Sequence, residues 1–398
     1  MPSTRFVPSA IDREIRQIAA GYPARELRSD LEAVEVLRAA AGIDFPSRSI
    51  AVVGTNGKTS TAAFMERLLR RAGSRTGLTT SPHIRDWGER VAIDGTPIAD
   101  ERLLLELTRL HRLADDVAAR GSLRFFDLLT LAAAGVFAEE RVEVAIFEAG
   151  IGGRLDTTRL LSAPLSVLTS VGIDHEELLG DNEVDVLREK LGVAPDGGRV
   201  VAADLRPALT REAETIAASN SLDLRIARGL TGPFLTRNAA LAVFALQNAP
   251  FDVGHIPERL DDDEAGVVPG RMQRLAVEGV EVLVDAAHNP QGWSELKALL
   301  PSAYVAVVSA SRSRAASELA ASLAAARFVV ATVAWPGRSH DAAELAALLA
   351  AAGLEVDAVP DPAAALASGL TRAKDERLPL VVFGSAYLLP HVFAAFGG

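Results

Sequence analysis

The chain has 398 residues, a formal net charge of −11 and a sequence pI near 5.3; 49% of its residues are hydrophobic and 23% charged. That length and composition predict two domains with real cores, and an acidic balance without a Lys/Arg run argues against a nucleic-acid partner. The absence of Cys excludes a disulfide framework and a thiolate metal site. No apolar run approaches membrane-spanning length, and the start MPSTRFVPSAIDRE lacks a signal-peptide core, so a soluble cytoplasmic enzyme is expected.

Strand and helix patterns alternate along almost the whole chain. Strands are predicted at 49–53, 76–80, 143–148, 165–169, 198–202, 223–226, 281–285, 304–309, 328–332, 355–358 and 378–383. Helical patterns fall at 58–72, 101–119, 126–140, 183–192, 208–219, 236–247, 292–300, 315–326, 341–352, 361–373 and 385–396. Several strands are short β-branched runs without polar alternation, as in strands covered on both faces. The pattern predicts an α/β fold with mostly parallel sheets and right-handed crossovers, so ligands belong outside the carboxyl ends of the strands. The acidic, turn-rich segment 257–270, PERLDDDEAGVVPG, interrupts the rhythm. It places the expected domain boundary between residues 268 and 269, with a hinge at 268–270.

The first strand runs into Gly54-Thr55-Asn56-Gly57-Lys58-Thr59-Ser60, and a helix follows. A glycine loop at a helix N-terminus binds phosphate through unpaired amides and the helix dipole. Lys58 is then expected to reach the β/γ-phosphates, with Thr59 or Ser60 near a magnesium ion. The usual phosphate-loop spacing is G-x-x-x-x-G-K-[ST]; here Val52 stands five residues before Gly57, and the first glycine is Gly54. The competing reading is a tight turn with a solvent-facing lysine. Residue usage weighs against it: Lys occurs only at 58, 190, 297 and 374, against 41 Lys and Arg together. A lysine that persists in so arginine-rich a chain points to a need for an ammonium group.

Three further stretches leave strands on the same expected edge: Ser81-Pro82-His83, Glu148 before a glycine turn, and Asp174-His175. Oxygen and imidazole ligands at strand ends suit Mg²⁺, which keeps few protein ligands beside phosphate and water. Ser81, Glu148 and His175 are therefore candidate metal ligands. Lys190, in the helix 183–192, is either an ordinary surface ion-pair partner or, by the same scarcity argument, a residue with a specific task.

Together these residues carry a resemblance. GTNGKTS, TTSPHIRDWGERVAIDGTPI, LRFFDLLTLAA, EAGIGGRLDTT, SVGIDHEELLGD, REKLG, PGRMQRL, VDAAHNPQG and VFGSAYLL occur in that order. Over roughly residues 30–396 the chain resembles the folylpolyglutamate synthase/dihydrofolate synthase family within the Mur ligases. The resemblance implies two domains, 1–268 a phosphate-loop ATPase domain and 269–398 a Rossmann-like glutamate-ligase domain. It implies an ATP-dependent ligase in which a carboxylate attacks the γ-phosphate to give an acyl phosphate, which the amine of L-glutamate then captures. Positioning and neutralisation of anions dominate such a reaction. It further implies ATP, two Mg²⁺ and a monovalent cation, a pterin- or folate-like acid as partner, and a monomer.

By position, the resemblance makes Ser81, Glu148, His175 and Lys190 metal ligands, with Lys190 carbamylated; an arginine, which does not readily lose its proton, cannot do this. Gly54 to Ser60 cradle phosphate. Asn238 matches an adenine contact, Arg271 an arginine reaching the phosphates, Asp285 a ribose contact, and His288 lies near the nucleotide. Phe125, Phe126, Arg154, Leu155 and Asp156 match the pterin-side pocket, and Ser385 a glutamate contact. Core packing for the two Phe, and capping for Asp285 and Ser385, remain open alternatives.

The chain also departs from the family pattern. Thr59 stands where the folate branch usually has Gly, Phe234-Leu235 where it has His-Gln, and Asp127 where it has Glu. SASRSRAAS replaces a run with Asp-Lys-Asp, and the segment between strand 223–226 and the following helix is short enough to omit a hairpin. These changes bear on the substrate more than on the reaction. They leave a glutamate ligase for folate or dihydropteroate, an amide ligase for another aromatic or heterocyclic acid, and a non-catalytic nucleotide-binding homologue. Retention of Lys58, Glu148, His175 and Lys190 argues against the last.

Overall fold

The computed structural model describes residues 9–22, 29–258, 260, 268–314 and 316–397. The chain divides into one compact unit within Pro8–Gly266 and another within Val267–Gly398. Part of the acidic segment 257–270 lies outside the described residues.

The first unit opens with α1 (Ala10–Ala20) and α2 (Leu31–Ala41), capped by Ser9 and Asp30 side chains that accept from first-turn amides. Its sheet begins with β1 (Ser49–Val53), whose five residues SIAVV are all buried. Burial on both faces explains the absence of alternation, and each such Val or Ile is worth about 1.5–3 kcal/mol. After α3 (Lys58–Arg71) come β2 (Thr76–Thr79), the short β3 (Val91–Ile93) and β4 (Thr96–Pro97), α4 (Asp100–Asp116), α5 (Phe125–Glu139) and β5 (Val144–Glu148). β6 (Leu165–Leu168), α6 (Glu176–Leu179), α7 (Glu183–Leu191), β7 (Arg199–Ala203), α8 (Pro207–Ser219), β8 (Asp223–Ala227) and α9 (Phe234–Gln247) complete it.

The strand order is β4-β3-β2-β5-β1-β6-β7-β8. β3 pairs antiparallel with both β2 and β4, and the remaining neighbours are parallel. Register aligns the carboxyl ends. Val52 pairs with Glu148, Val53 with Leu168, and Thr79 with Phe147. Residues 54, 81, 148 and 169 therefore leave the sheet at one edge. Phe137 of α5 meets Phe147 of β5 edge to face at 5.4 Å, which anchors the helix beneath that edge.

In the second unit, β9 (Gln273–Val277) and β10 (Val280–Val284) form an antiparallel pair. α10 (Pro290–Lys297), β11 (Tyr304–Val308), α11 (Ala316–Ser322), β12 (Ala326–Ala331) and α12 (Ala342–Ala351) follow. β13 (Val356–Ala358), α13 (Pro362–Glu376), β14 (Leu380–Phe383) and α14 (Leu389–Phe396) close the chain. The order is β13-β12-β11-β14-β10-β9, parallel except for β9. Trp293, fully buried, donates from its indole to Ala287 O at 3.2 Å and fixes the loop after β10.

Two mixed, mostly parallel sheets agree with the α/β expectation. The helix expected at 315–326 ends at Ser322, and the next strand begins at Ala326 rather than 328. α1, α2, β3, β4 and β9 are additional elements. The connection from β8 to α9 is residues 228–233, with no strand between them. Among the described residues no helix is long and apolar enough to cross a membrane.

Candidate functional site

The glycine loop is held by the loop that leaves β6. A Cβ on Gly54 would stand 1.9 Å from Thr169 Oγ1, so only glycine lets the two segments approach. Thr55 Oγ1 donates to Gly172 O (2.8 Å) and accepts from Gly172 N (3.1 Å). Asn56 N donates to Ser170 Oγ (2.8 Å), and Asn56 O accepts from Thr169 Oγ1 (2.6 Å) and Ser170 Oγ (3.0 Å). The loop is thereby held in shape by protein groups. Gly57, at φ 86°, is the N-cap of α3 and offers no side-chain cap, which leaves the helix's first amides and dipole to an anion. Lys58 Nζ donates to Gly54 O (3.0 Å) and Thr55 O (3.3 Å). Ser60 Oγ donates to Gly57 O (3.1 Å) and accepts from Asn238 Nδ2 (2.8 Å). Asn238 of α9 is thus buried against the start of α3.

Glu148 lies beside this loop with 3% of its surface exposed. Its Oε1 accepts from Thr59 Oγ1 and its Oε2 from Ser81 N, both at 3.1 Å. His175 occupies the N-cap of α6 in the left-handed region, φ 53°, with 41% of its side chain exposed. Its ring nitrogens stand 3.6 Å from carboxylate oxygens of Asp174 and Glu177. Lys190 is 3% exposed. Burial first, and then Lys58, push its amine down to about 7, against the opposing pull of Asp174 and Asp156. That coupling joins α7 electrostatically to the glycine loop and to two further strand-end segments.

Among the described residues no three His, Asp or Glu side chains converge as a cation cage. The structure sets one buried carboxylate, Glu148, between the Thr59 hydroxyl and the backbone amide of Ser81. This hard-oxygen set fits Mg²⁺, which needs only one or two protein carboxylates when phosphate and water complete its shell.

A cleft beside Glu148 is lined by Thr80, Arg90, Phe126 and Thr130 among others. Phe126 packs over Gly150, where a Cβ would come within 3.0 Å of its ring. Phe125 meets Trp87 edge to face at 5.7 Å. Trp87 also stacks with His83 (4.3 Å) and with the Arg90 guanidinium (5.1 Å), whose Nε donates to His83 Nδ1 at 2.8 Å. Both Phe are half-buried: Phe125 packs on Trp87, and Phe126 packs on Gly150 and lines the cleft. Sequence reasoning missed Trp87 and Arg90, although both lie within the quoted stretch RDWGER.

Arg154 is exposed and pairs with Glu189 at 2.7 Å, and its own amide donates to Glu189 O at 2.8 Å. The turn of residues 150–156 thereby rests on the helix carrying Lys190. Leu155 is half-buried. Asp156 is 0% exposed, and its carboxylate accepts from Gly150 N (3.1 Å), Thr158 N (3.0 Å) and Thr158 Oγ1 (2.7 Å). Burial raises its pKa. The carboxylate is therefore spent inside its own turn, which it shapes from within.

In the second unit, Arg271 Nη1 donates to Gly270 O at 3.2 Å. Asp285 is 3% exposed and accepts from Met272 N (2.8 Å) and Ala287 N (2.7 Å). Burial raises its pKa although Arg271 opposes this. His288 Nδ1 lies 3.0 Å from Ala286 O. Ser385 Oγ accepts from Tyr387 N at 3.2 Å. Asp285 and Ser385 thus both perform the capping that the sequence left as an alternative.

Residues 270–386 match the Mur ligase, glutamate ligase domain. The fold as a whole matches that of Mycobacterium tuberculosis folylpolyglutamate synthase complexed with ADP and AMPPCP, with a TM-score of 0.83, 24% identity, and coverage of 98% of this chain and 99% of that one. In sequence the chain is similar to the dihydrofolate synthase/folylpolyglutamate synthase of M. tuberculosis, 33% identical over 300 residues, 62% of this chain and 61% of the relative. The enzyme of that name from Bacillus subtilis is likewise 33% identical, over 293 residues, 63% of this chain and 66% of the relative. The matched segments thus span just under two thirds of these curated relatives. The expected resemblance to the folylpolyglutamate synthase/dihydrofolate synthase family holds in sequence and in fold.

Proposed function

We propose that the protein is an ATP-dependent acid–amino-acid ligase that joins L-glutamate to a folate or dihydropteroate through an acyl phosphate. The observation that carries this reading is the meeting, at one edge of a parallel sheet, of a protein-clamped glycine loop, the buried Glu148 and the buried Lys190. A nucleotide's phosphates fit the first turn of α3, where the helix dipole, the first-turn amides and Lys58 supply the positive charge. The crystallised M. tuberculosis neighbour holds ADP and AMPPCP. Asn238, Arg271, Asp285 and His288 are assigned to the nucleotide.

Glu148, Ser81, His175 and Lys190 would hold Mg²⁺, which would neutralise phosphate charge while the phosphoryl group is transferred; two such ions and one monovalent cation would complete the inorganic set. Lys190 serves as the carbamate: its neutral amine adds to CO₂, the N–C bond forms, and one proton leaves to solvent. Phe125 and Phe126 bound the acid's aromatic part, Arg154, Leu155 and Asp156 build the turn beside it, and Ser385 lies with the amino acid. The acid's carboxylate then attacks the terminal phosphorus, ADP departs, and the glutamate amine displaces phosphate from the acyl carbon. Small molecules are its only partners, and it works as a cytoplasmic monomer.

The test is phosphate release from ATP, Mg²⁺ and glutamate with dihydropteroate, tetrahydrofolate and a panel of other aromatic acids. Release stimulated at least tenfold by a pterin acid is expected. Stimulation by a non-pterin acid alone moves the assignment to an amide ligase of another substrate class, and release with no acid at all contradicts ligation.

A further inference from the structure

Asp127 has no surface exposure, yet three separate segments meet at its carboxylate. Ser29 Oγ, just ahead of α2, donates to Oδ1 at 2.5 Å, and Thr157 Oγ1 donates to the same oxygen. Arg124 N donates to Oδ2 at 2.6 Å, closing the first turn of α5. The Arg124 guanidinium, itself buried, donates to Ser29 Oγ and stands 3.7 Å from Oδ1.

Two of these segments carry the acid side of the site. Arg124 precedes Phe125 and Phe126 directly, and Thr157 follows Arg154, Leu155 and Asp156 directly. One carboxylate therefore sets both the angle at which the paired aromatics leave α5 and the position of the glycine turn over which Phe126 packs. No glycine-loop residue, and neither Glu148 nor Lys190, takes part in these contacts.

Resting on the ligase reading above, we propose that Asp127 is a positioning residue for the acid acceptor. It fixes the seat of Phe126, which lines the cleft beside Glu148, against the 150–156 turn, without touching substrate and without bearing on the nucleotide. A carboxylate suits this place because it can accept from all sides at once, whereas an amide turns one oxygen into a donor. The buried donors left facing that donor lose their partner, which in a closed network shifts the groups they hold. A glutamate here would carry the same charge one methylene further and push Thr157 outward. The shorter Asp127 thus seats Phe126 and the turn in a register of this chain's own.

The experiment is steady-state phosphate release with dihydropteroate as acceptor. Acceptor and ATP are varied in turn for wild type, Asp127→Asn, Thr157→Val and Thr157→Ser. Asp127→Asn and Thr157→Val are expected to raise the acceptor KM about tenfold, leave the ATP KM within twofold, and change kcat less than threefold. Thr157→Ser, which keeps the hydroxyl, is expected to match wild type. If Asp127→Asn does not fold, the Thr157 pair decides alone. Wild-type turnover with acceptor KM values unmoved in the variants overturns the assignment and leaves the ligase reading standing. A joint rise of both KM values does the same. A wild-type protein inert with every acid removes the ligase reading and this assignment with it.

Discussion

Lys58→Ala is expected to lower ATP turnover by at least a thousandfold while the melting temperature stays within about 2 °C of wild type. The ammonium is the group that the glycine loop sets beside the first turn of α3, and losing a charge that stabilises a transferring phosphoryl group costs two to three orders of magnitude or more. The fold has little to lose. Lys58 Nζ donates only to the carbonyls of Gly54 and Thr55 in its own loop. The loop's shape is held independently by Thr55, Asn56, Thr169 and Ser170, and Ala is a good helix former at the start of α3. Phosphate release and a thermal melt on the same preparation check both halves. Retention of more than a tenth of the wild-type rate contradicts the role given to Lys58.

At Lys190 two substitutions should diverge in stability while agreeing in activity. The folded-state pKa is lowered from 10.5 to about 7. Above both values the amine is neutral in either state. As pH falls from the unfolded value toward 7, the unfolded chain takes up the proton first and the folded state loses relative stability. Below 7 the deficit is constant. A lysine here therefore costs on the order of a few kcal/mol near neutral pH, at about 1.4 kcal/mol per pKa unit. Lys190→Met removes that cost, and in bicarbonate-free buffer its melting temperature is expected to exceed wild type at pH 7 by several degrees, with the gap closing toward pH 10. Lys190→Arg buries a charge that cannot be shed and is expected to melt below wild type throughout. Both variants should lose turnover, since neither can form the carbamate. A near-normal rate in Lys190→Arg refutes the carbamate.

What the sequence disclosed, and what it hid, follows from the range of the interactions. β1, β5 and β6 were legible because strands buried on both faces leave short runs such as SIAVV, VAIFE and LSVL. The glycine loop was legible because its glycines and lysine are consecutive. β3 and β4 were not, since three and two residues carry no period. β9 escaped because it is half-covered at the edge of its sheet. α1 is amphipathic, with Ile11, Ile15 and Ile18 on one face, but its charged residues outnumber them and mask the stripe. Lys190 sits among Glu183, Asp185, Arg188 and Glu189, which read as a solvated face, and only the scarcity of lysine marked it out.

The larger gaps concern groups whose partners are distant in the chain. Trp87 donates to Asp12, and Ser29 to Asp127, across separations of 75 and 98 residues. No local pattern encodes such contacts. Asp127 was visible only as a residue differing from the family's Glu, and its buried network gives that difference a physical content. Asp156 shows the reverse. The sequence placed it at the acid pocket, and its carboxylate proves to be enclosed by its own turn.

The most direct test of acid activation uses an acceptor whose carboxylate carries ¹⁸O, incubated with ATP, Mg²⁺ and glutamate, with the released phosphate analysed by mass. Capture of the terminal phosphoryl group by the acid's oxygen, followed by displacement by the amine, delivers one ¹⁸O to each phosphate for each amide formed. Amide formation with unlabelled phosphate would contradict the acyl-phosphate route.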